Sequence, residues 1–174
     1  MGVGKLSLKL IGTHAIISIV EFFLMIPLMG LWQDNEIYQW IVGLLLIFIL
    51  WFIIYSDIVY ISQKDIKRDL FWKPKGFLIG LLASIPALIL YILAIIIEAK
   101  IDYSEIALRI WLAPYTKFFM TFKDKMPYIA IIPIIILPIL SGLSYLDGPR
   151  RRNRILDAIK ESDAKRAEKS KVDR

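Results

Sequence analysis

Three polar side chains suited to proton or cation chemistry lie in the first apolar stretch of the chain. His14, Ser18 and Glu21 are spaced by four and three residues, and at about 100° per residue this spacing puts them on one face of a helix. A carboxylate inside a membrane-spanning helix costs about 3 kcal/mol or more, so Glu21 must be neutral, paired or hydrated. We therefore hypothesise a proton or cation relay, or a substrate-facing groove, in which Glu21 is the titrating group.

The same residues also fit a structural role. His14 and Glu21 are seven residues apart, which is about 10 Å of helical rise and too far for a direct hydrogen bond. A protonated Glu21 bonded to a neighbouring helix would fix packing or subunit assembly, with His14 near the membrane interface. The other apolar stretches have no charged residue at their centres, which favours this structural role over an ion pathway.

The composition places these residues in an integral membrane protein. Of the 174 residues, 57% are hydrophobic, against about 45–50% in ordinary soluble domains, and the mean hydropathy is +0.61. The chain has no cysteine and one histidine, which excludes disulfides, thiol catalysis and metal centres built on thiolates or several histidines. We expect no metal and no cofactor.

Four apolar runs are long enough to cross a bilayer. They predict an all-α integral membrane protein with four transmembrane helices in two hairpins and an interfacial amphipathic segment before the last span. The predicted spans are residues 10–32, 37–55, 76–97 and 127–146. Residues 1–149 form one membrane domain, and residues 150–174 form a basic, charged cytoplasmic tail, a frayed helix that follows a turn at Asp147–Pro149.

The connector before the last span, residues 98–126, is too apolar for a plain loop. Trp111 and Tyr115 suit the depth of the lipid headgroups. Pro114 predicts a break in any helix there. We therefore predict an interfacial helix broken near Pro114.

Basic residues are segregated by loop. Lys and Arg number two at the N-terminus, five in residues 57–75 and ten in residues 150–174, against none in residues 33–36 and five in residues 98–126. Because basic loops stay inside, both termini are predicted to be cytoplasmic in a multi-pass protein of the cell membrane. An arginine cluster is predicted to contact anionic lipid headgroups on that side: Arg150, Arg151, Arg152 and Arg154.

Small residues and prolines predict how the spans pack and bend. Small residues recur every four positions at the start of the third span, a pattern that favours close helix packing: Gly76, Gly80 and Ser84. Three prolines predict helix kinks: Pro86, Pro133 and Pro138.

Asp65 and Asp69 are one helical turn apart, a spacing compatible with a metal pair. Lysine and arginine residues surround them, however, so we predict a solvated, charge-rich segment instead.

No catalytic motif is present, so the sequence favours a non-catalytic protein, an accessory or structural subunit that packs against itself or against a larger membrane protein. The alternative is a small homo-oligomeric transporter or channel that uses the face formed by His14, Ser18 and Glu21. A third hypothesis is an enzyme acting on lipid headgroups through the arginines of residues 150–154 and nearby aspartates. The basic residues of so apolar a chain suit headgroups, and we expect no nucleic-acid partner.

Overall fold

The computed structural model describes residues 2–30, 35–96, 103–122 and 126–172. Helix makes up 91% of the structure, and the described residues include no strand, which confirms the predicted all-α class. The helices are α1 (Val3–Gly30), α2 (Glu36–Ile66), α3 (Lys75–Ala83), α4 (Ile85–Ile96), α5 (Tyr103–Trp111), α6 (Thr116–Thr121) and α7 (Met126–Val172). A 3-10 turn at Ala113–Tyr115 separates α5 from α6.

Four helical stretches are long and apolar enough to cross a membrane. They are Val3–Leu28, Glu36–Ile66, Lys75–Ile95, which combines α3 and α4, and Tyr128–Asp163. Large apolar side chains point outward from them, and Phe23, Phe48 and Leu143 are each more than 60% exposed. Such an apolar exterior suits lipid rather than water, and it suggests a multi-pass membrane protein. Of the predicted spans, residues 31–32 and 97 lie outside the described residues.

The helices pack as a bundle whose two ends can be told apart. α1 and α2 are antiparallel, because the Lys9 ammonium near the start of α1 contacts the Asp57 carboxylate near the end of α2 at 2.5 Å. We call this the N-terminal end of the bundle. α7 packs against both α2 and α3, and its contact with α3 is the most extensive in the molecule.

Small residues define the contact between α3 and α7. A Cβ atom added to Gly76 would overlap the Tyr145 side chain, and one added to Gly80 would lie 2.7 Å from the Pro138 Cα. The Ser84 hydroxyl donates a hydrogen bond at 3.2 Å to a main-chain carbonyl of α7. These side chains are small where the two backbones approach, as small-residue helix contacts require.

The prolines have different effects in different helices. α3 ends at Ala83 and α4 begins at Ile85, so the helix breaks within the turn before Pro86, where a proline ring removes a hydrogen bond and crowds the backbone. Pro133 and Pro138 instead lie inside α7, which is continuous from Met126 to Val172.

The predicted turn at Asp147–Pro149 is wrong, because α7 continues through it. Packing on α2 explains the difference. Gly148 lies directly against the Ser62 side chain, and the Ser62 hydroxyl donates to the Tyr145 carbonyl at 2.6 Å. α7 therefore runs on past the N-terminal end of the bundle by about 35 Å, so the described part of the predicted tail is helical.

We expect Gly80→Ala to destabilise the protein by about 1–3 kcal/mol, because the added methyl group meets backbone that has no room to move. Gly12→Ala is the matched control, since a Cβ there meets nothing within 4 Å. In the middle of α1 this change should be neutral or stabilising by up to about 1 kcal/mol. Thermal unfolding in detergent compares the two variants, and equal midpoints would contradict the packing described.

Candidate functional site: the polar face of α1

The buried face of α1 is polar, whereas its exposed face is apolar. His14, Ser18 and Glu21 are only 5%, 1% and 3% exposed, while Ile16 and Phe23 on the other side are 65% and 66% exposed. The structure therefore turns all three predicted residues toward the interior of the bundle. Glu21 is therefore not on the outer surface of the bundle. A neighbouring subunit could not supply a partner for its carboxylate there.

The segment from α5 to α6 covers this polar face. The Ser18 hydroxyl donates a hydrogen bond to the Trp111 carbonyl at 2.8 Å, and the His14 ring lies against the Trp111 ring with centroids 5.2 Å apart. On its other side the segment is tied to α2, because the Trp51 indole N–H donates to the Tyr115 hydroxyl at 2.7 Å. α1 and α2 therefore hold the connector between them.

The predicted interfacial position of this segment stays a prediction. Trp51 lies at the midpoint of α2, about 22 Å from either end, so the hydroxyl of its partner Tyr115 lies level with the middle of α2. We call residues Tyr103–Phe122 the re-entrant segment. Broken backbone at this depth is tolerated where protein satisfies its polar groups, and here Ser18 bonds the Trp111 carbonyl while Thr116 bonds the Ala113 carbonyl.

Four buried polar atoms on α1 lack hydrogen-bond partners within the described residues: both ring nitrogens of His14 and both carboxylate oxygens of Glu21. They are four of only six such side-chain atoms found there. Buried polar groups are normally bonded, because an unpaired one costs about 1–3 kcal/mol and an unpaired charge costs more. A carboxyl group in this position is able to hold a proton or a cation.

A small cavity lies beside this face. Its volume is about 20 Å³, enough for about one water molecule. His14, Trp51, Trp111 and Tyr115 line it together with Ser84, Leu112 and apolar residues of α2, α4 and α7. Of the polar face, His14 thus borders a small space that also has the rings of Trp51, Trp111 and Tyr115 around it.

A second polar group at the N-terminal end of the bundle is fully paired. The Lys75 ammonium contacts the Asp65 carboxylate at 2.7 Å, with both side chains less than 10% exposed, and the Tyr145 hydroxyl donates to the same carboxylate at 2.9 Å. The prediction that Asp65 is solvated is therefore wrong. The Phe71 ring stacks on the Tyr145 ring, with centroids 5.2 Å apart.

Asp69, the other candidate metal ligand, instead ends α2. Its φ angle is 55°, and the Leu70 N–H donates to the Asp65 carbonyl at 2.9 Å, the pattern of a Schellman motif. Nowhere in the described ranges do three His, Asp or Glu residues come together as metal ligands would.

The arginines of α7 are spread around the helix rather than gathered in one patch. The Arg151 guanidinium lies 5.2 Å from the Tyr55 ring centroid and 3.9 Å from the Asp147 carboxylate, which also accepts a hydrogen bond from the Tyr55 hydroxyl at 2.5 Å. Arg150 and Arg154 are exposed. Arg152 is half-buried.

Sequence reasoning missed Lys117, Trp51 and Tyr115 as parts of the interior. Lys117 is 6% exposed; its ammonium donates to the Gln39 side chain at 2.9 Å and lies 5.6 Å from the Trp40 ring centroid. The usable signal was a proline in an apolar connector that also carries a lysine. Such a stretch is as compatible with a re-entrant segment as with an interfacial helix.

Comparisons of the chain with protein-family models, with curated proteins and with solved structures give no match. The geometry of the polar face is therefore what bears on function.

We expect Lys75→Met to destabilise the protein by about 3–5 kcal/mol, because it leaves the buried Asp65 carboxylate without its counter-charge. Adding Asp65→Asn should restore most of this loss, since the amide carries no charge and still accepts from Tyr145. Lys64→Met, at an exposed position of α2 next to Asp65, should change stability by less than about 0.5 kcal/mol. The free energy of unfolding of Lys75→Met, of the double variant and of Lys64→Met is measured in detergent. If Lys75→Met were as stable as Lys64→Met, the pairing of Lys75 with Asp65 would be disproved.

Proposed function

We propose that the protein is a small transporter that moves protons or other cations across a membrane by binding them at Glu21. The observation that carries this proposal is the set of four polar atoms on His14 and Glu21 that are buried inside the bundle without hydrogen-bond partners among the described residues. Ionisable residues inside a membrane are expensive, and where they occur they commonly mark ion or proton pathways. The two residues face the protein interior, as such a pathway requires.

Buried polar side chains continue along α1 toward the N-terminal end. From Glu21 the face passes through Ser18 and His14 to Ser7, which is 3% exposed, a distance of about 21 Å along the helix. This is half the thickness of the bundle or more. The buried Leu10 lies between Ser7 and His14 on this face, so the uninterrupted polar part runs from Glu21 to His14.

The re-entrant segment also supports transport. Non-helical backbone at the middle of membrane proteins is found where it is buried in protein or lines a cavity, and broken helices there form substrate and ion sites in many transporters. The cavity beside His14 holds only about 20 Å³, so ions cannot pass through a fixed opening. We therefore propose a transporter that changes conformation rather than an open channel.

One observation supports the other hypothesis, that the protein is an accessory or structural subunit. The part of α7 beyond the bundle carries exposed apolar side chains, since Ile155, Leu156 and Ile159 are 53%, 43% and 50% exposed. Apolar residues among arginines and acidic residues suit docking on a partner. This partner surface is compatible with transport, because many transporters self-associate or bind larger subunits.

We expect Glu21→Gln to reduce proton or sodium flux in proteoliposomes to the level of protein-free vesicles, because the amide cannot exchange a proton or hold a cation by charge. Glu36→Gln is the matched control, since Glu36 is an exposed carboxylate at the start of α2, and its flux should equal that of the unmodified chain. Monodisperse elution of each variant shows that it is folded.

Flux that persists unchanged in folded Glu21→Gln would reject the proposal. In that case the mass of the complex extracted in mild detergent becomes decisive. A larger protein that co-purifies would then establish the accessory subunit.

We further propose that both termini are cytoplasmic in the cell membrane, with the arginines of α7 against anionic headgroups. The basic residues of the N-terminal end and of α7 support this orientation. A reporter active only in the cytoplasm should be active when fused after Arg174, and the same reporter placed between Asp34 and Asn35 should be silent. The reverse pattern would invert the orientation.

A further inference from the structure

An apolar groove opens on the outside of the bundle between α2, α6 and α7. Its volume is about 430 Å³, within the range of about 300–1,000 Å³ typical of small-molecule sites. Aromatic and aliphatic side chains line it, among them Phe48, Phe118, Phe119 and Ile132. Phe48 and Ile132 are 63% and 51% exposed, so the groove faces the surroundings of the bundle. We call it the lateral groove.

A buried lysine lies beyond one end of this groove. Lys117 of α6 is 6% exposed, and its ammonium donates to the Gln39 side chain at 2.9 Å and lies 5.6 Å from the Trp40 ring centroid. Both partners are uncharged, and none of the ion pairs among the described residues includes Lys117. Buried charges are normally paired with an opposite charge. An anion is therefore the ligand that this ammonium suits best.

Aromatic rings connect Lys117 to the lateral groove. Phe118, the next residue of α6, lines the groove, and its ring packs edge-on against the Trp40 ring with centroids 5.0 Å apart. On α2, Trp40 lies one helical turn before Leu44, a residue of the groove wall. The Lys117 side chain also packs closely on α2, because a Cβ atom added to Gly43 would lie 2.7 Å from the Lys117 Cβ. The ammonium and the groove therefore follow one another along one side of α2.

The length of this arrangement matches one leaflet of a bilayer. The groove reaches Trp51 at the midpoint of α2, and Gln39 lies about 18 Å along the helix from Trp51, near the start of α2. The hydrocarbon core of one leaflet is about 15 Å thick. A lipid chain that lies in the groove with its end near Trp51 thus has its phosphate group at the level of the Lys117 ammonium. Trp40 at this level suits the headgroup region, where tryptophan is enriched.

We propose that the lateral groove binds one chain of an anionic phospholipid and that the phosphate of this lipid pairs with the Lys117 ammonium. The lipid belongs to the leaflet at the start of α2, whereas the arginines of α7 lie toward the N-terminal end of the bundle. The site is separate from Glu21, so the inference does not depend on the proposed function.

The chemistry of a phospholipid fits both parts of the site. Its chain covers the apolar wall of the groove, and its phosphate brings the negative charge that neither Gln39 nor Trp40 supplies. Basic residues between membrane helices bind anionic headgroups in this way. Lysine carries its charge on a flexible four-carbon stem, so a rotation of the Lys117 side chain brings the ammonium to a phosphate at the end of the groove. A second protein would have to bring an apolar ridge and an acidic residue at the same spacing.

Native mass spectrometry of the purified chain in detergent counts the lipids that remain bound. Dioleoyl phosphatidylglycerol is the probe, and dioleoyl phosphatidylcholine is its control, because the two lipids have the same chains and differ in net charge. We expect about one phosphatidylglycerol molecule to be retained per chain, with a preference of about tenfold over phosphatidylcholine at equal concentrations.

One pair of variants tests the charge. Lys117→Gln removes the ammonium and keeps a polar side chain, so it should weaken retention of phosphatidylglycerol about tenfold and leave retention of phosphatidylcholine unchanged. Lys64→Gln removes an exposed charge near the other end of α2 and should change neither. Monodisperse elution shows that each variant is folded.

A second pair of variants tests the groove. Ile132→Trp puts a larger side chain into the groove, so it should reduce retention of both lipids. Ile135→Trp is the matched control, because Ile135 is 54% exposed on the same helix and lies outside the lateral groove. It should leave retention of both lipids unchanged.

Several results would overturn the inference. They are an absence of bound lipid, equal retention of the two lipids, retention of phosphatidylglycerol that persists in folded Lys117→Gln, and retention that is unaffected by Ile132→Trp. A complex of two chains that dissociates in Ile132→Trp would assign the groove to a second copy of the chain, and it would overturn the inference as well.

Discussion

The structure depends on the burial of the re-entrant segment between α1 and α2. Its turn at Ala113–Tyr115 lies at the middle of the bundle, where unsatisfied peptide groups would be very unfavourable in lipid. Ser18 from one side and Trp51 from the other supply the hydrogen bonds that hold it. The Ser18 contact also keeps the Trp111 ring against the His14 ring, with centroids 5.2 Å apart, so the connector shapes the surroundings of part of the candidate site.

Close packing of α3 on α7 makes room for this arrangement. Glycine at positions 76 and 80 lets the two backbones approach near the N-terminal end, and the break at Ser84 accompanies the passage from α3 to α4, which packs against α5. The bundle is thus tight at one end and filled by the re-entrant segment further along. The cavity beside His14 therefore lies in the middle of the bundle rather than at an end.

The buried polar groups of the two regions differ in whether they have partners. At the N-terminal end, Asp65 has both Lys75 and Tyr145 as partners, and Lys9 contacts Asp57, so these carboxylates hold helices together. At the middle of the bundle, Glu21 and His14 have no such partners within the described residues. A buried pair that is satisfied rigidifies a fold, whereas an unsatisfied carboxyl remains available to a proton or a ligand. This difference is the reason for assigning structure to Asp65 and function to Glu21.

The sequence by itself determined the all-α class, the number of apolar helices and the shared face of His14, Ser18 and Glu21, because these follow from local hydropathy and from the 3.6-residue period of a helix. It did not determine what that face meets, nor that α7 runs straight through Asp147–Pro149, nor that Asp65 is buried. Each of these depends on contacts between residues 80 to 93 positions apart: Ser18 with Trp111, Ser62 with Tyr145, and Asp65 with Tyr145. Local pattern carries no information on such pairings, and only the tertiary structure decided them.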